Sequence, residues 1–268
     1  MLSSIEQAGI AARVINTPTA FLEDADGNLP AEMVPRINDA VAELVSRNPG
    51  HLYGLATVDA YAGDAAAREL TRAVKELGLR GVFVESAKRD LLPDAREARP
   101  TFATAAALGI PVFVHPVTDP AMHKSIQTAW PSRRAACPRQ HQRRRAGCAA
   151  GRRLFDELPN LRVVVTTLAI GGVLLAGGFG DGARLRKDAP ALARRHVYID
   201  SMGLHPALLR AAVDLLGVDH VLVGTDWPIA VEKSVPERLG TALATCGLSA
   251  SEQQMIASGN TLKLLGIG

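Results

Sequence analysis

The stretch from Glu69 to Glu85, ELTRAVKELGLRGVFVE, decides the fold class of this 268-residue chain. Its first half has the apolar spacing of an amphipathic helix, Gly78 ends the helix, and a short β-branched run follows. The same order recurs at Thr101–His115, TFATAAALGIPVFVH, where Gly109 separates helix from strand. Because both strands are continuous apolar runs, they are predicted to be buried on both faces of a parallel sheet.

The alternation of strand and helix continues along the chain and predicts an α/β fold, a (β/α)₈ TIM-type barrel, which takes about 250 residues. A doubly wound sheet is the competing arrangement, but no GxGxxG or GxxxxGK turn follows an early strand. The predicted strands are Arg13–Thr17, Leu52–Val58, Gly81–Glu85, Pro111–His115, Leu161–Thr167, Val197–Asp200 and Val221–Asp226. The predicted helices are Ala31–Arg47, Asp64–Leu77, Thr101–Leu108, Ala183–Arg195, Pro206–Leu216, Val235–Cys246 and Ser251–Leu265.

The count of strands differs from that of a complete barrel. Seven strands are predicted rather than eight, and the chain opens on a helix, Ser3–Ala8. The first strand of the barrel is therefore predicted to be missing, and residues 1–268 are predicted to form one barrel domain.

The composition excludes several classes of protein. The apolar fraction is 47% and the charged fraction 21%, as in an ordinary globular protein with a sizeable core. Three cysteines cannot build a disulfide framework, and no apolar run reaches the ~20 residues of a membrane span. The first residues lack the basic and apolar regions of a signal peptide, so a cytoplasmic location without membrane partners is predicted.

Basic residues are concentrated in one atypical segment, Pro131–Arg153, which contains eight arginines and no acidic residue. Removing these eight from the 30 Lys and Arg leaves 22 against 27 Asp and Glu, a net charge of −5. No aromatic residues are interleaved for base stacking, and the remaining chain would repel phosphate. Nucleic acid is therefore not expected as a partner.

Two interpretations of the segment 131–153 remain open. It is either a genuine basic insertion or the product of a frameshift. With GC-rich codons, RQHQRRR at Arg139–Arg145 reads GNTNAA when shifted by one base. The following AGCAAGRR can become ALVALLEGG, which joins an amphipathic helix directly to Leu154. The frameshift interpretation accounts for the arginine density and the absent acids together.

Two polar side chains at predicted strand ends are the candidates for chemistry. His115 ends the strand PVFVH, and Asp226 ends the strand VLVGTD. Catalytic residues of a barrel lie at the carboxyl ends of its strands, and an imidazole with a carboxylate suits Zn²⁺ or a related ion. Asp226 could also act as general base toward a metal-bound water. The structural alternatives are a backbone-bonded histidine and a turn-capping aspartate.

Other polar residues are predicted to have structural or solvated roles. Thr166 and Thr167 are predicted to be simple strand formers, and His51 to be structural. Cys246 is predicted to be a buried apolar residue. The histidines predicted to be solvated are His123, His141, His196, His205 and His220.

Four ordered stretches together resemble the amidohydrolase-related branch of the amidohydrolase superfamily, which includes aminocarboxymuconate-semialdehyde and γ-resorcylate decarboxylases. The stretches are ELTRAVKELGLRGV (69–82), ALGIPVFVHP (107–116), FDELPNLRVVV (155–165) and GVDHVLVGTDWP (217–228), and Gly259-Asn260 before the last helix also fits. The resemblance implies a distorted barrel that binds one Zn²⁺ or Mn²⁺, often as a homodimer. It implies metal ligands at His115 and Asp226.

The chain departs from this family pattern at two places. No His-x-His or Glu-x-His pair of the family's first strand is present, and Thr167 stands where a catalytic histidine usually ends a strand. The implied function is metal-dependent hydrolysis or non-oxidative decarboxylation of a small carboxylated or cyclic substrate. The alternative is a catalytically inactive barrel, because a catalytic zinc normally takes three protein ligands.

Overall fold

The computed structural model describes residues 2–24, 29–117, 154–166, 189–202, 205–228 and 235–267. The strands are β1 (Arg13–Ile15), β2 (Leu52–Gly54), β3 (Ala56–Thr57), β4 (Val82–Glu85), β5 (Pro111–His115), β6 (Arg162–Val165), β7 (Val197–Asp200) and β8 (Val221–Leu222). The α-helices are α1 (Leu2–Ala8), α2 (Met33–Arg47), α3 (Asp64–Lys75), α4 (Arg99–Leu108), α5 (Leu154–Glu157), α6 (Ala189–His196), α7 (Pro206–Leu216), α8 (Val235–Thr245), α9 (Ala250–Gln254) and α10 (Asn260–Leu264). The predicted segment 131–153 lies outside the described residues.

All strand pairs are parallel and follow chain order. β1 pairs with β2, and β3 to β8 form a six-stranded sheet in sequence order. A single residue, Leu55, separates β2 from β3, and its N–H donates to the carbonyl of Ile15 while the N–H of Ala56 donates to that of Gly81. The segment from β2 to β3 therefore joins both sheets into one series of seven strand positions, as predicted.

The two ends of this series lie close together. The guanidinium of Arg13, on β1, lies 4.2 Å from the centre of the Trp227 ring, which follows β8. This cation–π contact shows that the segment following β8 lies beside β1, so the series of strands curves back toward its start. Burial in this contact region lowers the pKa of the Arg13 guanidinium from its usual value.

The strands supply the centre of the core. Val82, Val112 and Ile199 are fully buried, which agrees with strands covered on both faces. Alanines of α3 and α4 pack against the sheet and allow close helix–sheet approach. Several predicted boundaries change: β1 ends at Ile15, β6 covers only Arg162–Val165, and β8 covers only Val221–Leu222. The predicted last helix divides into α9 and α10, with a π-helix between them. No helix of the described residues is long and apolar enough to cross a membrane.

The side chain of Asn38 on α2 connects that helix to β3 through two hydrogen bonds. Its Oδ1 accepts from the backbone N–H of Thr57 at 2.8 Å, and its Nδ2 donates to the carbonyl of Thr57 at 3.0 Å. The same amide also donates to Glu69 of α3 at 2.8 Å. The hydroxyl of Thr57 donates to the carbonyl of Thr17, so this clamp extends to the chain segment that follows β1.

The glycine that ends α4 is expected to be required for stability. Gly109 has φ +66, and a Cβ at this position would have open space around it. The destabilisation expected of Gly109→Ala therefore comes from backbone strain and not from a steric clash. We expect it to reduce the free energy of unfolding by about 1 kcal/mol. Gly240→Ala is the matched control, because Gly240 lies exposed inside α8 with open space around it. This change should instead add about 0.5–1 kcal/mol. Urea unfolding measures both, and equal effects at the two positions would contradict the prediction.

Candidate active site

His115 ends β5 beside the end of β4. The strand register pairs His115 with Glu85, which brings both side chains to the same face of the sheet. The Nδ1 atom of His115 lies 2.7 Å from Oε2 of Glu85, a hydrogen-bond distance. The His115 side chain is 31% exposed, so its ring is reachable from solvent while one nitrogen is engaged by protein.

Glu85 is a site residue that the sequence analysis did not single out. Its side chain is only 10% exposed, and its Oε1 accepts from the backbone N–H of Ala20 at 3.4 Å. A buried carboxylate requires such partners, because leaving it unpaired would be costly. The available signal was its position: Glu85 is the acidic last residue of an otherwise apolar strand, in the stretch that decides the fold.

Asp226 lies beyond the end of β8 rather than within it. The last residue of β8 is Leu222, and Asp226 has φ +54, in the left-handed region that few non-glycine residues adopt. Asp226 is exposed as a residue, and loss of hydration on the covered part of its carboxyl raises its pKa above the ordinary value. The charge of His115 acts in the opposite direction on this pKa, as the smaller of the two effects.

The route from β8 to Asp226 depends on a close approach at Gly224. A Cβ on Gly224 would lie 2.7 Å from the Cβ of Asp200, which ends β7. The backbone N–H of Gly224 also lies 3.4 Å from the hydroxyl of buried Ser201, which accepts from it. The segment therefore stays against the end of β7 after the regular pairing stops, and this contact directs the chain toward Asp226.

The described residues bring His115 and Glu85 into contact, and Asp226 lies in the segment that follows β8. No group of three or more His, Cys, Asp or Glu residues that could hold a metal ion occurs in the described part of the chain. Thr166, which directly follows β6, donates from its hydroxyl to the carbonyl of Val114 at 3.1 Å, which is a structural role. Thr167 lies outside the described residues.

Two histidines that were predicted to be solvated are buried, so that prediction was wrong. His196 stacks on Phe155 at 4.5 Å between ring centres, and its Nδ1 lies 2.8 Å from the carbonyl oxygen of Leu161. Burial lowers the pKa of His196, which favours the neutral ring. His220 stacks on Tyr198 at 4.3 Å. His196 is the last residue of α6 and His220 follows α7, and sequence polarity alone did not reveal that aromatic neighbours cover them.

The other histidine and cysteine predictions have mixed outcomes. His205 is exposed, as predicted. Cys246 is buried, as predicted, and the Nδ1 of His51 lies 3.1 Å from the carbonyl oxygen of Ala11. His123 and His141 lie outside the described residues.

The chain belongs to the amidohydrolase family, whose model matches residues 5–267. It is 26% identical over 275 residues to the 2-amino-3-carboxymuconate-6-semialdehyde decarboxylase of Dictyostelium discoideum, covering 99% of this chain and 76% of that protein. It is 27% identical over 244 residues to a γ-resorcylate decarboxylase of Polaromonas sp., covering 84% and 74% of the two chains. The predicted membership of an enzyme family of metal-dependent hydrolases and carboxy-lyases is confirmed.

Solved structures confirm the predicted barrel class. A dihydroxybenzoic acid decarboxylase from Polaromonas sp. superposes with a TM-score of 0.80 at 23% identity, covering 99% of this chain and 84% of that one. That crystal structure contains manganese and the inhibitor 2-nitroresorcinol. The fold shared with it is the amidohydrolase-type (β/α)₈ barrel.

Proposed function

We propose that this chain is a divalent-metal-dependent, non-oxidative decarboxylase of a small aromatic carboxylic acid. The observation that carries the proposal is the His115 ring, which lies at the carboxyl end of β5 with Nδ1 held by Glu85 and its side chain 31% exposed. Active sites of such barrels lie at this end of the strands. Both curated relatives described above are decarboxylases, which favours carbon–carbon cleavage over hydrolysis and gives no support to a catalytically inactive barrel.

The donor set fits part of a metal site. We assign Nε2 of His115 and a carboxylate oxygen of Asp226 as two of the ligands, a combination that suits either Zn²⁺ or Mn²⁺. The described residues supply two such donors, while a catalytic site generally takes three protein ligands. When bound, the metal supplies positive charge that holds and orients the carboxylate of the substrate.

A residue of this chain then supplies the proton that the decarboxylated ring requires. Loss of CO₂ breaks the bond between the ring carbon and the carboxylate, and the electron pair of that bond remains on the ring carbon. This carbon must receive a proton, which we assign to the carboxyl group of Asp226. A carboxyl group that passes a proton to the reacting carbon acts as a general acid. Water returns the proton to Asp226 after the product leaves.

The proposal is tested by incubating the purified chain, loaded with Mn²⁺ or Zn²⁺, with γ-resorcylate. We expect resorcinol and CO₂ in equal amounts, with the reaction abolished by a chelator and restored by metal. Benzoate, which lacks the hydroxyl groups, is the matched control substrate and should react far more slowly. Hydrolysis of small esters or amides without decarboxylation of any hydroxylated carboxylate would overturn the proposal.

A further inference from the structure

We propose that Glu85 is a positioning residue that holds His115 in the Nδ1–H tautomer and leaves Nε2 as the nitrogen with a free electron pair. Only the identity of the group that Nε2 binds rests on the proposed function. The tautomer itself is a property of the metal-free protein, and it is determined by the contact between β4 and β5.

The chemistry of the pair determines which nitrogen carries the hydrogen. A carboxylate has acceptors only, so the 2.7 Å contact between Glu85 Oε2 and His115 Nδ1 requires hydrogen on Nδ1. When the ring is neutral it carries one N–H, so hydrogen on Nδ1 leaves Nε2 unprotonated. No described residue makes a hydrogen bond to Nε2.

Hydrogen bonds hold the backbone around the Glu85–His115 pair, and the carboxylate itself has one further contact. The N–H of Ala20 donates to its second oxygen at 3.4 Å, and the hydroxyl of Tyr61 donates to the backbone carbonyl of Glu85 at 3.2 Å. On the other side, the N–H of Ser86 donates to the carbonyl of His115 at 2.8 Å. Because Glu85 is nearly buried, water competes little for these contacts.

The arrangement has a direct consequence for ligand binding. An unconstrained neutral imidazole prefers hydrogen on Nε2, and that tautomer would present a donor where a metal or a substrate proton needs an acceptor. Histidine ligands in metal sites are commonly fixed by a carboxylate on their second nitrogen, and loss of such a partner weakens metal binding 10- to 100-fold. Glu85 meets this description from the strand next to the histidine.

The first test is nitrogen NMR of the metal-free protein labelled with ¹⁵N, recorded at about pH 8.5, where an ordinary histidine of pKa ~6.5 is neutral. Long-range ¹H–¹⁵N correlations report which ring nitrogen carries hydrogen, and His115→Asn identifies the His115 signals. We expect the Nδ1–H form to dominate at His115. A dominant Nε2–H form in the unmodified protein would overturn the proposal, and this measurement needs no variant at Glu85.

Variants separate positioning from general support of the fold. Glu85→Leu should shift His115 toward the Nε2–H form and weaken Zn²⁺ binding by about 10- to 100-fold in calorimetry. Glu85→Asp should recover part of both. Asp59→Asn is the matched control, because Asp59 is a carboxylate that pairs with Lys88 elsewhere and has no contact with His115. An unchanged tautomer in Glu85→Leu would refute the role of Glu85 even if the chain decarboxylates γ-resorcylate.

Discussion

Replacement of Asp226 by asparagine is expected to lower kcat/KM for decarboxylation by roughly a thousandfold or more, the range seen when one member of a catalytic unit is removed. The change removes both a proposed metal ligand and the proposed proton donor while retaining the size of the side chain. Steady-state kinetics with γ-resorcylate measure the loss of activity, and metal analysis after dialysis measures the loss of metal binding. Asp226→Asn that keeps its metal and stays within tenfold of the unmodified activity would refute the assignment.

Stability distinguishes this effect from unfolding. Because the pKa of Asp226 is raised in the fold, the ionised carboxylate is disfavoured there at neutral pH, and a neutral amide relieves that cost. The metal-free variant should therefore melt at the same temperature as the unmodified protein or higher. Asp214→Asn is the matched control, since this aspartate pairs with Arg210 on the exposed face of α7 and should leave activity within twofold.

Asn38→Leu is expected to reduce the free energy of unfolding by about 2–5 kcal/mol. Leucine is similar in size to asparagine, but it leaves the buried N–H and carbonyl of Thr57 without their partners, and each orphaned group costs about 1–3 kcal/mol. The side chain of Glu69 also loses a donor. Chemical denaturation followed by circular dichroism provides the measurement.

Ser46→Ala supplies the control for this helix. Its hydroxyl also donates to a backbone carbonyl, that of Glu43, but on the exposed face of α2 where water can replace it. A loss below about 0.5 kcal/mol is expected there. If Asn38→Leu cost less than 1 kcal/mol, the backbone of Thr57 would have other partners, and the clamp between α2 and β3 would not be a main support of this end of the sheet.

Much of the barrel and part of the site could be predicted because the sequence features that indicate them lie within short, continuous stretches of the chain. A helix that ends at Gly109 and a strand that follows it are visible in fifteen consecutive residues, since backbone conformation and burial of a whole strand depend on the residues themselves. Position at the carboxyl end of a strand was also enough to select His115 as a candidate. The predicted frameshift or insertion at 131–153 stays a prediction.

The partners of these residues were decided by contacts between distant segments. Glu85 and His115 are thirty residues apart, and only the parallel register of β4 and β5 brings the carboxylate to Nδ1. The burial of His196 follows in the same way from Phe155 of another helix. The sequence by itself determined the strands, the helix ends and the candidate histidine, because these depend on local chemistry. Only the tertiary structure decided which nitrogen of that histidine stays available, because hydrogen-bond partners depend on how strands align in space.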